Sequence, residues 1–226
     1  TRRAAADDTT NTGGADAALH LVRRATWGPT AALVGKVRSM GPDAWLAQQL
    51  DPSSINDPVI DGLASRWSHL GYRTWECIEK LVDPNKWSVM SEMMDAHLAR
   101  AVWSERQLFE VMVDFWNNHL VIPAPTSKVE TNAHLFQRDV TRKHALGRFE
   151  DMLAASARHP AMLNVLDNAL SSKQRPNENY GRELLELHTV GVGSYTEADV
   201  AQSTRALTGL SVDSENGLYE YKPQRR

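Results

Sequence analysis

The stretch WSVMSEMMDAHLARAVWSERQLFEVMVDFWNNHL, Trp87–Leu120, decides how the chain is read, because its apolar residues recur at helical rather than strand spacing. Inside it, Ser104-Glu105-Arg106-Gln107 has the form of a capping box, so the stretch predicts two helices with a bend near Ser104. Pro123 and Pro125 close it and open a loop. Toward the N-terminus, Asp16 is placed to cap ADAALHLVRRA and Thr30 to cap AALVGKVRSM, which stops at Gly41. Pro42 starts a third helix through Leu50, and residues 57–70 carry a further amphipathic pattern closed by Gly71. Toward the C-terminus, helices are expected over 128–142, 147–158, 160–168, 179–190 and 197–208, with Thr196 as the last N-cap and Asp199 in the first turn.

Only the end departs from this pattern. SVDSENGLYEYK at 211–222 places two β-prone runs around Asn216-Gly217, the dipeptide favoured in two-residue type I′ turns. The expected architecture is therefore all-α: a flexible tail over 1–14, an irregular multi-helix domain over 15–210, and a short C-terminal β-hairpin with a truncated end over 211–226. A hairpin is marginal alone, so this one is expected to need packing that the chain itself does not supply.

Composition sets the outer bounds. The chain has 226 residues, 42% of them hydrophobic, and a formal net charge of −3 from 25 basic and 28 acidic groups. It is large enough to bury a core without disulfides, and its lone Cys77 cannot form one internally. The charge balance offers no field for nucleic acid, and no apolar run reaches the length of a membrane span. Arg2-Arg3 is followed by Asp7-Asp8 where an export signal needs an apolar core. Because residue 1 is Thr, the expected location is the envelope or outside if a leader has been removed, and the cytoplasm otherwise. Phosphate-loop, dinucleotide, nucleophile-elbow, zinc-helix and EF-hand signatures are all missing. Gly191-Val192-Gly193-Ser194 follows a helix instead of opening one, which reads as a C-cap and turn.

Two histidines stand on apolar stripes. His119 shares its wheel position with Leu108, Val111, Met112 and Phe115, and His188 with Tyr180, Leu184, Leu185 and Leu187. Each reads either as a buried imidazole satisfied by its neighbours or as a general base or metal ligand facing a cleft. Together they are the candidate ligands of a divalent metal. Asn179, Arg182, Glu183 and Glu186 share the opposite face of the second helix. That face reads either as solvated charge or, with His119, as a set of candidate catalytic groups whose paired carboxylates need an offsetting cation such as Arg182, Arg205, Arg148 or a metal. The tryptophans Trp87, Trp103 and Trp116 are expected to fill the core in preference to lining a carbohydrate cleft.

Taken together, HLVRRATWGPT (20–30), FEVMVDFWNNHLVIP (109–123), HALGRFEDMLAASARHPAMLNVLDN (144–168), NENYGRELLELHTVGVGSYTEADV (177–200) and RALTG (205–209) resemble the bacterial domain-of-unknown-function 1800 family. The resemblance implies a helical fold, frequent export, and a neighbouring gene for a protein of sulfatase-like appearance, but no established reaction. It also implies a longer protein, so that a missing C-terminal half is one expected partner and a sulfatase-like protein another. Leu210 stands where the family's motif tends to continue into tryptophan. The resemblance places Asn179, Arg182, Glu183 and Glu186 in a buried polar network. Two functions follow as expectations: a hydrolase or metal-assisted enzyme on an envelope or extracellular substrate, or a non-catalytic scaffold docking a sulfatase-like partner.

Overall fold

A computed structural model describes residues 16–81 and 87–226; the tail expected over 1–14 lies outside them. Twelve α-helices and one two-stranded hairpin are present among the described residues, so the fold is all-α with a short C-terminal hairpin. The first three helices follow their caps. α1 (Ala17–Ala25) begins at Asp16, whose carboxylate accepts from the Leu19 N–H, and α2 (Ala31–Met40) begins at Thr30 in the same way. Gly41, at φ +88°, closes α2 by donating to the Val37 carbonyl and leads directly into α3 (Pro42–Leu50). These helices bury Ala18, Val22, Val34, Val37 and Trp45 in a small core of their own, against which Leu108 packs.

Residues 57–70 do not form one helix. α4 (Pro58–Leu63) passes into two 3-10 turns, Ala64–Arg66 and Ser68–Gly71. Gly62, Ser65 and Ser68 weaken the helix from within, and Glu92 takes the His69 N–H (2.9 Å) and ring Nδ1 (2.5 Å) that a continuous helix would orient elsewhere. α5 (Thr74–Lys80) is a helix the sequence pattern did not announce. Glu76 reaches back to the Arg73 N–H, and Cys77 is buried at the contact.

The long central stretch divides near Ser104 as expected, into α6 (Ser88–Trp103) and α7 (Gln107–His119), but by a different device. Asp57, almost wholly buried, accepts from the Ser104 hydroxyl (2.6 Å) and the Glu105 N–H (3.1 Å). The Gln49 side chain bridges the break, donating to the Glu105 carbonyl and accepting from the Leu108 N–H. Buried groups from distant segments hold the bend, where a local capping box was anticipated.

The helix expected over 128–142 is also shorter. Turns lead into α8 (Ala133–Phe136), which continues as a π-helical segment over Gln137–Arg142. That wider winding presents Thr141 and Arg142 to α7: Thr141 donates to Asn117 Oδ1 at 2.7 Å, and Arg142 forks onto Glu110. α9 (Phe149–Ala157), α10 (Pro160–Val165), α11 (Glu178–Glu186) and α12 (Glu197–Leu207) complete the domain. The main core gathers Val89, Met90, Leu120, Phe136, Val140, Met152, Met162, Leu163, Tyr180 and Leu207.

The hairpin pairs β1 (Leu210–Val212) with β2 (Tyr219–Tyr221), Ser211 opposite Glu220. It does not turn on two residues at Asn216-Gly217. The Asp213 carboxylate accepts from the Glu215 N–H and the Asn216 amide, which stretches the connection over residues 213–218 with Gly217 at φ +70°. β1 rests on the main core through Leu210 and Val212, and Arg225 ties the end of the chain to the Ala169 carbonyl and Ser211. Among the described residues no helix is long and apolar enough to cross a membrane.

Candidate functional site

The strongest sequence signals converge on the place where α7 ends and the turn after α11 passes. α11 is one turn shorter than expected. The N–H groups of Leu187 and His188 both return to the Glu183 carbonyl, and those of Val190 and Gly191 to Leu185, a closure that the positive φ of Gly191 (+81°) permits. The chain thereby folds His188 inward and brings its carbonyl within 3.0 Å of His119 Nε2. With a carbonyl as partner, Nε2 carries the proton and Nδ1 is left as the acceptor of the His119 ring.

The two imidazoles have different surroundings. His188 is 4% exposed, lies edge-on to the buried Tyr180 ring at 6.3 Å, and leaves Nδ1 without a partner among the described residues. Burial first, then the neighbouring His119, pushes its pKa down to about 4, so it is neutral at physiological pH. His119 is half-buried and framed by aromatic rings: Phe115 stacked at 6.2 Å, Trp116 edge-on at 5.8 Å and Phe149 at 5.9 Å. Phe115 and Phe149 are themselves exposed, as are Leu187 and Val190 on either side of His188. The stripe read from the sequence is therefore not the core face of α7. Glu110 and Val113 are buried instead, because the helix is gripped by the π-helical segment on one side and by α3 on the other.

The polar face of α11 is not a buried network. Asn179 is exposed, with only a 3.5 Å contact from its amide to the Leu166 carbonyl. Arg182 forks onto Glu197 of α12 (2.9 and 2.7 Å), a pair at the surface in which the arginine is pushed upward and the glutamate downward in pKa by each other. Glu186 accepts a short hydrogen bond from the Tyr195 hydroxyl. Glu183 has no side-chain hydrogen bond or ion pair among the described residues. Of the cations expected to offset the two glutamates, Arg182 is held by Glu197 and Arg148 by Glu150, while Arg205 is exposed. His119 has its Nε2 committed, His188 is enclosed, and among the described residues no three His, Cys, Asp or Glu side chains gather to hold an ion. Among the described residues, His119 and His188 thus have no third such ligand beside them.

What pattern reading missed is Gly181. α11 crosses α12 so closely there that a Cβ would lie 2.3 Å from Thr204 Oγ1 and 2.8 Å from its backbone nitrogen. Its signal was present in the sequence, as the single glycine inside an otherwise strong helical pattern. Asp114, Asn117 and Asn118 lie off the His119 stripe. With His97, whose Nε2 is 3.3 Å from Asp114, they line a groove of about 500 Å3 between α6 and α7.

A family model described as "Protein of unknown function (DUF1800)" matches residues 20–226. No curated protein and no solved structure matches the chain.

Proposed function

The chain belongs to the DUF1800 family of proteins of unknown function, and from that premise we propose that it is a non-catalytic scaffold that docks a protein partner. One observation carries this reading: the segments most characteristic of the sequence meet at an apolar face, with Phe115 and Phe149 beside His119 and Leu187 and Val190 flanking His188, while Arg182 is closed on Glu197 and Glu186 on Tyr195. Large aromatic and aliphatic side chains grouped at a surface mark a site that another molecule covers. The partner that the family resemblance implies is a sulfatase-like protein of the envelope or exterior. Calorimetry with that purified partner is expected to give a complex that Phe115→Asp abolishes, with no loss of melting temperature because Phe115 is half exposed. A complex indifferent to Phe115→Asp, or none at all, would sink the proposal.

The catalytic reading rests on a separate observation, the approach of His119 Nε2 to the His188 carbonyl where the chain turns after α11. In it, His119 Nδ1 acts as general base in a hydrolase, with Asn179, Arg182, Glu183 and Glu186 as binding or positioning groups. A hydrolytic activity on an envelope or extracellular substrate that disappears in His119→Ala, with the fold intact, is what this reading requires. Either reading is compatible with a further C-terminal half packing beside the hairpin.

A further inference from the structure

On another part of the surface, the loop from α1 to α2, the N-terminal half of α2 and the last turns of α6 enclose a groove of about 660 Å3. Two tryptophans of this groove stand open to solvent, Trp27 at 43% and Trp103 at 54% exposure, with the fully buried Trp45 beneath. Indoles contribute large stabilisation when buried, and two left open in one concavity are unusual unless something covers them.

The groove is built and held. Trp27 donates its backbone N–H to Gln107 Oε1 at 3.2 Å, and the Gln107 amide is itself anchored on the Ser104 and Ala101 carbonyls. One residue earlier, the buried Thr26 hydroxyl donates to the Val22 carbonyl and accepts from the Gly28 N–H, which fixes the turn that presents the ring. His97 packs edge-on against the Trp27 ring at 5.7 Å. On the rim, Lys36 and Glu105 form an exposed pair at 2.8 Å, offering a donor and an acceptor side by side.

We infer that this groove is a binding site for a neutral carbohydrate, a β-linked hexose oligomer whose rings lie on Trp27 and Trp103 and whose hydroxyls engage the Lys36–Glu105 pair. A pyranose with equatorial substituents is flat and carries C–H groups on its faces, so it loses little by desolvation against an indole. Its edge is a ring of hydroxyls, each both donor and acceptor, which suits a cation and an anion set together. A purely apolar occupant, such as a leucine-rich peptide, would cover the rings but desolvate the ion pair for nothing in return. The site is independent of the docking face around His119.

The test is calorimetry and saturation-transfer NMR on the whole chain with cellotetraose and chitotetraose, and with a leucine-rich peptide as the contrasting probe. At least one tetrasaccharide is expected to bind in the millimolar range or tighter, with Trp27→Ala and Trp103→Ala each weakening it about tenfold. Both side chains are largely outside the core, and the melting transition of each variant confirms the fold. If one variant unfolds, the other decides. Failure of both sugars at millimolar concentration, affinity unchanged by either folded variant, or preference for the peptide overturns the inference.

Discussion

The contact between α7 and the π-helical segment and the contact between α11 and α12 each carry an arginine forked onto a glutamate. In the first, Arg142 meets Glu110 at 2.7 and 2.8 Å, and the glutamate side chain is 4% exposed. In the second, Arg182 meets Glu197 at nearly the same distances, but the glutamate side chain is 76% exposed. Geometry alone does not separate them; solvent does. The buried pair has given up its hydration and depends on its partner, whereas the exposed pair exchanges readily with water. What holds α11 to α12 is instead the close backbone approach at Gly181 and the apolar packing of Tyr180, Leu184 and Leu207 beneath it.

Removing Glu110 should therefore produce the largest effect. Glu110→Ala leaves Arg142 without its carboxylate and beside Arg100, whose own pKa is already lowered to about 10, chiefly by burial and next by Arg142. A loss of about 3–5 kcal/mol is expected in urea unfolding. The double variant Glu110→Leu, Arg142→Met should recover most of that loss, since an apolar pair of similar volume needs no compensation. A loss below about 1 kcal/mol in the single variant would break the contrast.

Gly181→Ala comes next. The added methyl meets the Thr204 backbone, which cannot rotate away, so α11 and α12 must separate. A cost of about 1–3 kcal/mol is expected, and Thr204→Ala should relieve only part of it, because the Thr204 nitrogen remains 2.8 Å from the new Cβ. This position shows how far pattern reading carries. The caps at Asp16, Thr30 and Thr196 and the glycine closures were legible because each is a local signal, tied to the backbone within four residues, and the break at Ser104 was legible in its position though Asp57 and Gln49 hold it from afar. The 3-10 turns after α4, the π-helical segment and the stretched hairpin loop were not. Each is set by a polar group that arrives from elsewhere or competes with the ladder: Glu92, Glu110 with Asn117, and Asp213. For the site, periodicity put each histidine on an apolar stripe and left the charged face of α11 open between solvated charge and catalytic groups; the buried network that the family resemblance implied is instead a partly exposed face. A wheel assigns an azimuth, and burial depends on what the other helix brings. Trp103, expected in the core, stands in a groove for the same reason.

A third effect sharpens the comparison through pH. His188, beside α11, and His159, the N-cap of α10, are both held near a pKa of about 4 by burial first, while an unfolded imidazole titrates near ~6.5. The unfolded chain then binds protons that the folded chain refuses. Stability is full above the unfolded value and falls as pH drops from about 6.5 toward 4, by about 1.4 kcal/mol per pH unit for each imidazole. His188→Gln should remove one imidazole's share of that slope and leave the share of His159. An unchanged slope would mean that His188 is hydrated in solution.

The smallest effect belongs to the exposed Arg182–Glu197 pair. Arg182→Ala removes a bidentate contact whose glutamate is open to water. The melting temperature is expected to move by at most about 2 °C, and less in high salt, where exposed charges are screened. Should Arg182→Ala instead destabilise as strongly as Gly181→Ala, the guanidinium must be holding more than Glu197. Tyr195 is the group to examine, since it leans on both Arg182 and Glu186 and would link the surface pair to the turn that positions His188. Comparing Arg182→Ala with Arg182→Lys then separates the two cases: lysine keeps the charge but not the fork, so only a role in geometry would survive as a defect in the lysine variant.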